Sequence, residues 1–302
     1  MTEPKNLAAS IRERLRQRAA ADKRPFDEVL TYFAIERFLF RLSKTQHRDR
    51  FVLKGALMLP IWGTTIARAT RDIDLLGRGS PTPIEIVALI ADCIAVAIPP
   101  DGLIFDPTSI KASEIREHER YGGIRATFLA HLERARIHMQ VDVGLGDVVT
   151  PGVVAIKYPV LLELPAPELS GYPVETTIAE KLEAIVDLGL ANSRMKDFFD
   201  LWSLLADLEL DGATIVKAVG ATFERRGTAV PAEPPIGLTA EFASDRDKVA
   251  QWSAFVGRLR VQNPPALLAV VERIAKFAMP VFVAIITNTG HPARWTSIDW
   301  AP

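Results

Sequence analysis

Thr70-Arg71-Asp72-Ile73-Asp74-Leu75-Leu76 is the stretch that decides how this chain reads. Polar and apolar residues alternate in it, which predicts a strand over 70–76. Ile73 and Leu75 would enter a core, and Asp72 and Asp74 would share the opposite face. Two carboxylates on one face repel each other, so such a pair is stable when solvent screens it or when a cation lies between them. Mg²⁺ favours a few carboxylates combined with phosphate oxygens. Taken alone, an Asp-x-Asp fits a solvated strand end as well as it fits a metal cradle. A second alternating run, 136–144, puts Ile137, Met139, Val141 and Val143 on one face and His138, Gln140 and Asp142 on the other. As a neighbouring strand it would bring Asp142 beside the first two acids, and three acids can hold two divalent ions for in-line attack at a phosphate. Gly144 and Gly146 mark a turn there, so Asp147 reads as a loop residue.

Upstream, Phe51-Val52-Leu53-Lys54-Gly55 leads into a short apolar segment that Pro60 and Gly63 end. A glycine ahead of a short helix lets the backbone approach a phosphate, and the helix start presents unbonded N–H groups to it. The spacing is not that of a P-loop, and no Gly-x-Gly-x-x-Gly occurs. Leu7, Ile11 and Leu15 predict an amphipathic helix, Pro25 separates it from a second over 26–42, and a third is predicted over 83–98. Strand-like runs cover 102–105 and 123–132. The segment 158–173 holds Pro159, Pro165, Pro167 and Pro173 and reads as an irregular linker. Beyond it the pattern is helical, over 175–190, 195–208, 212–225, 245–259 and 265–278. The fold class is α+β: a mixed β-sheet with flanking helices, then a mainly helical C-terminal half.

The chain has 302 residues with 36 Lys+Arg against 37 Asp+Glu, and 48% of it is hydrophobic. That excludes a disordered chain and a surface coated throughout in positive charge. Cys93 is the single cysteine, which excludes an internal disulfide framework or a multi-cysteine zinc site, and it reads as a small buried hydrophobe. His47, His118, His131, His138 and His291 are scattered without metal-ligand spacing, and no Gly-x-Ser-x-Gly elbow is present. With no apolar run of membrane-spanning length and no apolar signal core near the start, the expectation is a cytoplasmic protein with no membrane partner.

The helical half carries a second cluster. Thr176-Thr177-Ile178-Ala179-Glu180-Lys181-Leu182 opens one helix, and Arg194-Met195-Lys196-Asp197-Phe198-Phe199-Asp200-Leu201 opens the next. Lys181 lies in early turns, where a cation does not complement the helix dipole, so a role toward an external anion is open. Asp197 and Asp200 share a helical face, and Lys196 and Asp200 are spaced as an i,i+4 pair. An anion site and a salt-bridge network between helices both fit these residue types.

In this order, Phe51-Val52-Leu53-Lys54-Gly55-Ala56-Leu57, Thr70–Leu76, Val141-Asp142-Val143-Gly144, Glu180-Lys181-Leu182 and Arg194–Leu201 resemble the AbiEii/AbiGii toxin family of nucleotidyltransferases. The family is similar in fold to the DNA polymerase β-type nucleotidyltransferases, and MenT-type relatives transfer nucleotides to tRNA acceptor ends. The resemblance implies N-terminal helices over 1–50, a nucleotidyltransferase core over 51–160 and a helical domain over 174–302. It implies Asp72, Asp74 and Asp142 as metal-binding acids for Mg²⁺ or Mn²⁺, and Lys54, Gly55, Ala56 and Lys181 against an NTP substrate. Asp197 matches the acid of the helix motif. The implied partners are an NTP, a tRNA acceptor and a cognate antitoxin. Nucleotidylation of a protein or small molecule, or a non-catalytic nucleotide- or antitoxin-binding module, are the alternatives. One departure stands out: the family usually has a hydroxyl residue after the glycine, and this chain has Ala56. Arg12, Arg14, Arg16, Arg18, Lys23, Arg24, Arg225 and Arg226 are the candidate basic surface for an RNA backbone, or else solvated helix faces.

Overall fold

The computed structural model describes residues 7–64, 68–115, 122–259, 261, 263–289 and 293–301, so His118 and His291 lie outside the described residues. The chain divides into two compact units. One comprises Met1–Ile61, Ala69–Gly146 and Val154–Gly171; the other comprises Trp62–Arg68, Asp147–Val153 and Tyr172–Pro302. The N-terminal helices thus share a unit with the sheet.

In the first unit α1 (Leu7–Ala21) and α2 (Phe26–Ser43) precede β1 (Phe51–Lys54) and β2 (Asp72–Gly77). Next come α3 (Pro83–Ala95), β3 (Leu103–Ile115), β4 (Gly123–Leu132), β5 (Ala135–Leu145), β6 (Val154–Lys157) and β7 (Glu168–Gly171). The strands form one mixed sheet in the order β3-β4-β5-β2-β1-β7-β6. β2 runs parallel to β5 and antiparallel to β1, and β4 joins the other side of β5 as an antiparallel neighbour. Ile73, Leu75, Val141 and Val143 are buried, as their alternation requires. Helix α2 is buried all round from Phe33 to Ser43, and Phe38 packs its ring 5.2 Å from Phe128 and 6.2 Å from Phe105. Helix α3 begins with Pro83 behind a Thr82–Glu85 capping box and buries Ile86, Leu89, Ile90 and Cys93.

Two elements differ from the sequence expectation here. Strand β3 extends ten residues beyond the expected 102–105, to Ile115, passing Pro107 at a register shift between Asp106 and Lys111. A proline is tolerated there because β3 is the edge strand and the shift removes the need for its N–H. The expected linker over 158–173 is also built into the sheet. Its end forms β7, which pairs with β6 and, at Leu53–Gly171, with β1. Its middle is held to α2: Glu36 accepts the Leu161 N–H at 2.7 Å, and Arg37 donates to the Pro165 carbonyl at 2.7 Å. Both side chains are 1% exposed. Arg41, one turn on, grips Asp101 with two bonds of 2.6 and 3.0 Å.

The second unit holds α4 (Val174–Leu188), α5 (Met195–Asp207), β8 (Glu209–Asp211), α6 (Gly212–Arg226), α7 (Ala240–Ser244) and α8 (Arg246–Val256). It ends with α9 (Leu267–Thr287), β9 (Arg294–Thr296) and β10 (Trp300–Ala301). It is mainly helical, as expected, but β8, β9 and β10 add a small antiparallel sheet that hydropathy did not reveal. Trp295 anchors that sheet: it is fully buried and donates to the Leu205 carbonyl at 2.8 Å. Helix α9 runs on past the expected end at 278, through Pro280. Val281, Phe282 and Ala284 are buried beyond the proline, so packing outweighs the lost backbone bond. Among the described residues no helix is long and apolar enough to cross a membrane.

Candidate active site

Strand register builds the site. Lys54 on β1 pairs with Asp74 on β2, Asp74 pairs with Asp142 on β5, and Asp142 pairs with Arg125 on β4. Register partners project to the same face of a sheet. The result is a row of four charged side chains, cation–acid–acid–cation, across four adjacent strands. Asp72 lies two residues along on the same face, opposite Gln140. Both Asp72 and Asp74 are partly exposed, whereas Ile73 between them is buried.

Gly55 closes one side of this face. Its φ is +72°, in the left-handed region, and a Cβ on it would overlap the Asp74 carboxylate. Glycine is therefore required both by the turn and by the acid. The segment that follows is a single 3-10 turn, Gly55–Met58, with Ala56 buried. The short helix expected after Gly55 is thus a 3-10 turn, too short for a helix dipole of its own. What it offers is backbone N–H groups beside Asp74 and Lys54.

Asp142 has its own partners. Arg125 donates to both of its carboxylate oxygens, Nε and Nη2 each at 2.8 Å, and Gln140 Nε2 adds a bond of 3.1 Å. Among the described residues no three carboxylate, imidazole or thiol groups converge as a metal cage. What the face presents is two carboxylates, Asp72 and Asp74, on one side of β2. That all-oxygen pair suits Mg²⁺ or Mn²⁺ when phosphate oxygens and water complete the shell.

In the second unit, α4 and α5 bring the other motif residues together. Lys181 donates to Asp197 at 2.7 Å and to Asp200 at 2.9 Å. Arg68 holds Asp200 with two bonds of 2.8 and 3.0 Å, and Arg194 lies 2.8 Å from Asp197. Burial works against the charge on Lys181, but the two carboxylates outweigh it and keep the ammonium protonated above the ordinary lysine range. Burial likewise pushes Asp197 up, yet Lys181 and Arg194 hold it below the usual carboxylate range. The expected Lys196–Asp200 pairing is replaced: Asp200 is buried and takes Arg68 and Lys181, and Lys196 is exposed.

Arg226 leaves the candidate basic surface, because it turns inward to Glu183 at 2.7 Å and Asp147 at 3.1 Å. Arg18 and Arg24 are engaged locally with Asp22 and Glu28. Sequence reading missed Arg125 beside Asp142 in the first unit and Arg68 in the ion-pair cluster of the second. Arg125 alternates correctly within its strand, but only the β4–β5 register reveals what it faces. Arg68 lies four residues before Asp72, and nothing in its spacing points to a helix some 130 positions later.

A family model described as nucleotidyl transferase AbiEii toxin, type IV TA system, matches residues 37–279. Among solved structures, JHP933 from Helicobacter pylori is similar at 14% identity, covering 84% of this chain and 90% of that one, with a TM-score of 0.47. A protein from the same organism described as a candidate nucleotidyltransferase is similar at 15% identity, covering 84% and 94%, with a TM-score of 0.48. Among proteins of curated function, none matches.

Proposed function

The chain belongs to the AbiEii nucleotidyl transferase toxin family, and from that premise we propose that it transfers a nucleotide from an NTP to an RNA hydroxyl, the tRNA 3' end being the first candidate. The single observation that carries this reading is the placement of Asp72 and Asp74 on one face of β2, in register with Asp142 and capped by Gly55.

In the proposed reaction the acceptor hydroxyl oxygen attacks the α-phosphorus and gives its proton to water, the α-phosphorus–oxygen bond to the β-phosphate breaks, and pyrophosphate leaves. A divalent ion on Asp72 and Asp74 would supply charge stabilisation to the phosphates. The remaining chemistry is assigned to the chain itself. Lys54 and the backbone N–H groups of Gly55 and Ala56 are assigned to phosphate oxygens. Lys181 is assigned to the triphosphate. An ammonium has three N–H bonds, and Asp197 and Asp200 take two of Lys181's, fixing its direction and keeping it charged. Preorganised cations of this kind stabilise charge that grows on the leaving group. The cytoplasmic location and a neutralising antitoxin partner belong to the same proposal.

Ala56 supports a second reading, a nucleotide-binding module without turnover, because the hydroxyl that would complete phosphate contact is missing. One reaction separates the two. Each labelled NTP is incubated with Mg²⁺, total bacterial tRNA and the protein, beside an Asp72→Asn/Asp74→Asn control. Label on tRNA with the wild type and none with the control is the expected result. Metal-dependent NTP binding without transfer to RNA would overturn the tRNA reading and favour the binding module or another acceptor.

A further inference from the structure

Three acids on neighbouring strands invite a two-ion reading, but the third acid is already taken. We propose that Arg125 occupies the role of the second divalent cation, so that this face holds one ion, on Asp72 and Asp74, while Asp142 is reserved for the guanidinium. This inference rests on the nucleotidyl-transfer reading above.

The geometry supports it at three levels. A guanidinium fork matches a carboxylate edge to edge, and Arg125 uses both of its facing N–H bonds on Asp142, at 2.8 Å each. Gln140 Nε2 occupies Asp142 Oδ2 as well, at 3.1 Å, so one oxygen already accepts two donors. The pair also stands on rigid backbone. Arg125 and Asp142 are direct partners in an unbroken β4–β5 ladder that runs from Gly123 to Leu132, and no loop movement would part them.

Charge points the same way. Along the row Lys54–Asp74–Asp142–Arg125 the formal charges already sum to zero. A dication coordinated by Asp142 would sit against the guanidinium bound to the same carboxylate. Asp72 pairs in register with Gln140 across β2 and β5, one position removed from that row on the same face. Arg125 is therefore a positioning residue. It fixes the direction of the Asp142 carboxylate and supplies a permanent positive charge where a mobile ion would otherwise have to bind.

The test counts ions rather than turnover. Mn²⁺ retained per chain is measured by equilibrium dialysis and electron paramagnetic resonance, first with Mn²⁺ alone and then with each of the four α,β-methylene nucleoside triphosphates. The wild type is expected to saturate at one ion. Arg125→Ala, which releases Asp142, is expected to take two, and Arg125→Lys, which keeps the charge, to stay at one. Thermal melts of each variant show which are folded. Two ions on the wild type would overturn the inference and leave the nucleotidyl-transfer reading standing. A folded Arg125→Ala that stays at one ion would reduce Arg125 to a strand-pairing contact and also overturn it. No ions on the wild type, matching the Asp72→Asn/Asp74→Asn control, would overturn this inference together with the reading it rests on. If Arg125→Ala does not fold, the wild-type and Arg125→Lys counts still decide.

Discussion

Glu36 shows what one buried side chain does to the pH response of the chain. It lies on α2, 1% exposed, with Arg37 beside it at 2.9 Å and the Leu161 N–H on its other oxygen. Burial raises its carboxyl from 4.5 to about 7, and the arginine and the backbone donor offset only part of that. The folded chain therefore binds a proton that the unfolded chain has released between these two values. Stability from this group is present below about pH 4.5, declines as the pH rises, and levels off above about pH 7. The full span is roughly 3 kcal/mol, since stability falls by about 1.4 kcal/mol for each pH unit between those two values. Glu36→Gln keeps an acceptor for Leu161 and cannot ionise. Urea unfolding at about pH 5 and about pH 8 is expected to show the variant gaining on the wild type by up to roughly 3 kcal/mol at the higher value. An identical pH dependence in the two proteins would refute the assignment. Cys93 is the contrasting residue: its thiol is fully buried and pushed up to about 12 by burial, which suits the packing role read from sequence.

Among the elements, α3 is the one most completely specified by its own sequence. Thr82 accepts the Glu85 N–H, Glu85 returns to the Thr82 N–H at 2.6 Å, and Pro83 fills the first position. Thr82→Ala should cost about 1 kcal/mol, seen as a lower denaturation midpoint with an unchanged denaturant slope. A loss below about 0.3 kcal/mol would show the cap to be redundant. Elements of this kind were legible because their signals are local: alternation for β2, β4 and β5, periodicity for the helices, and Asp72 and Asp74 as a matter of parity. What escaped was decided by partners distant in sequence. Pro107 ends a local strand pattern, yet β4 carries β3 past it. Pro280 ends a local helix pattern, yet burial of Val281 and Phe282 carries α9 past it. The three short strands β8, β9 and β10 have too few residues for any period to register, and Trp295 holds them by packing. The site divides along the same line. Its acids were readable from alternation, while Arg125 and Arg68 depended on register and on the packing of a loop against α5.

At the scale of the molecule, the two units exchange chain repeatedly. The second unit draws Trp62–Arg68 and Asp147–Val153 from within the span of the first before it continues from Tyr172. Those short pieces supply ion-pair and hydrogen-bond partners: Arg68 to Asp200, Asp147 to Arg226, and Thr150 to Thr176 by bonds in both directions. A fragment spanning 172–302 would keep every helix of the unit but bury Asp200 without Arg68 and Arg226 without Asp147. Asp200 would keep Lys181 and Arg226 would keep Glu183, so each loss falls short of the roughly 3–5 kcal/mol of an unpaired buried charge, but together with the lost Thr150–Thr176 bonds they take a large share of the roughly 5–15 kcal/mol that holds a domain. The fragment is expected to show no cooperative thermal transition by circular dichroism, against a sharp one for the full chain. A cooperative transition in the fragment would show those short pieces to be dispensable.

The same threading has a consequence for descent. A unit encoded without interruption can be gained or traded through a single genetic crossover, arriving with everything it needs. Here, a breakpoint at the start of α4 delivers the helical unit without the arginine and the aspartate that help to neutralise its interior, and an earlier one brings part of the first unit with it. Donor and recipient would then have to match at several separate places along the gene. The threading therefore favours inheritance of the two units together over the exchange of one of them.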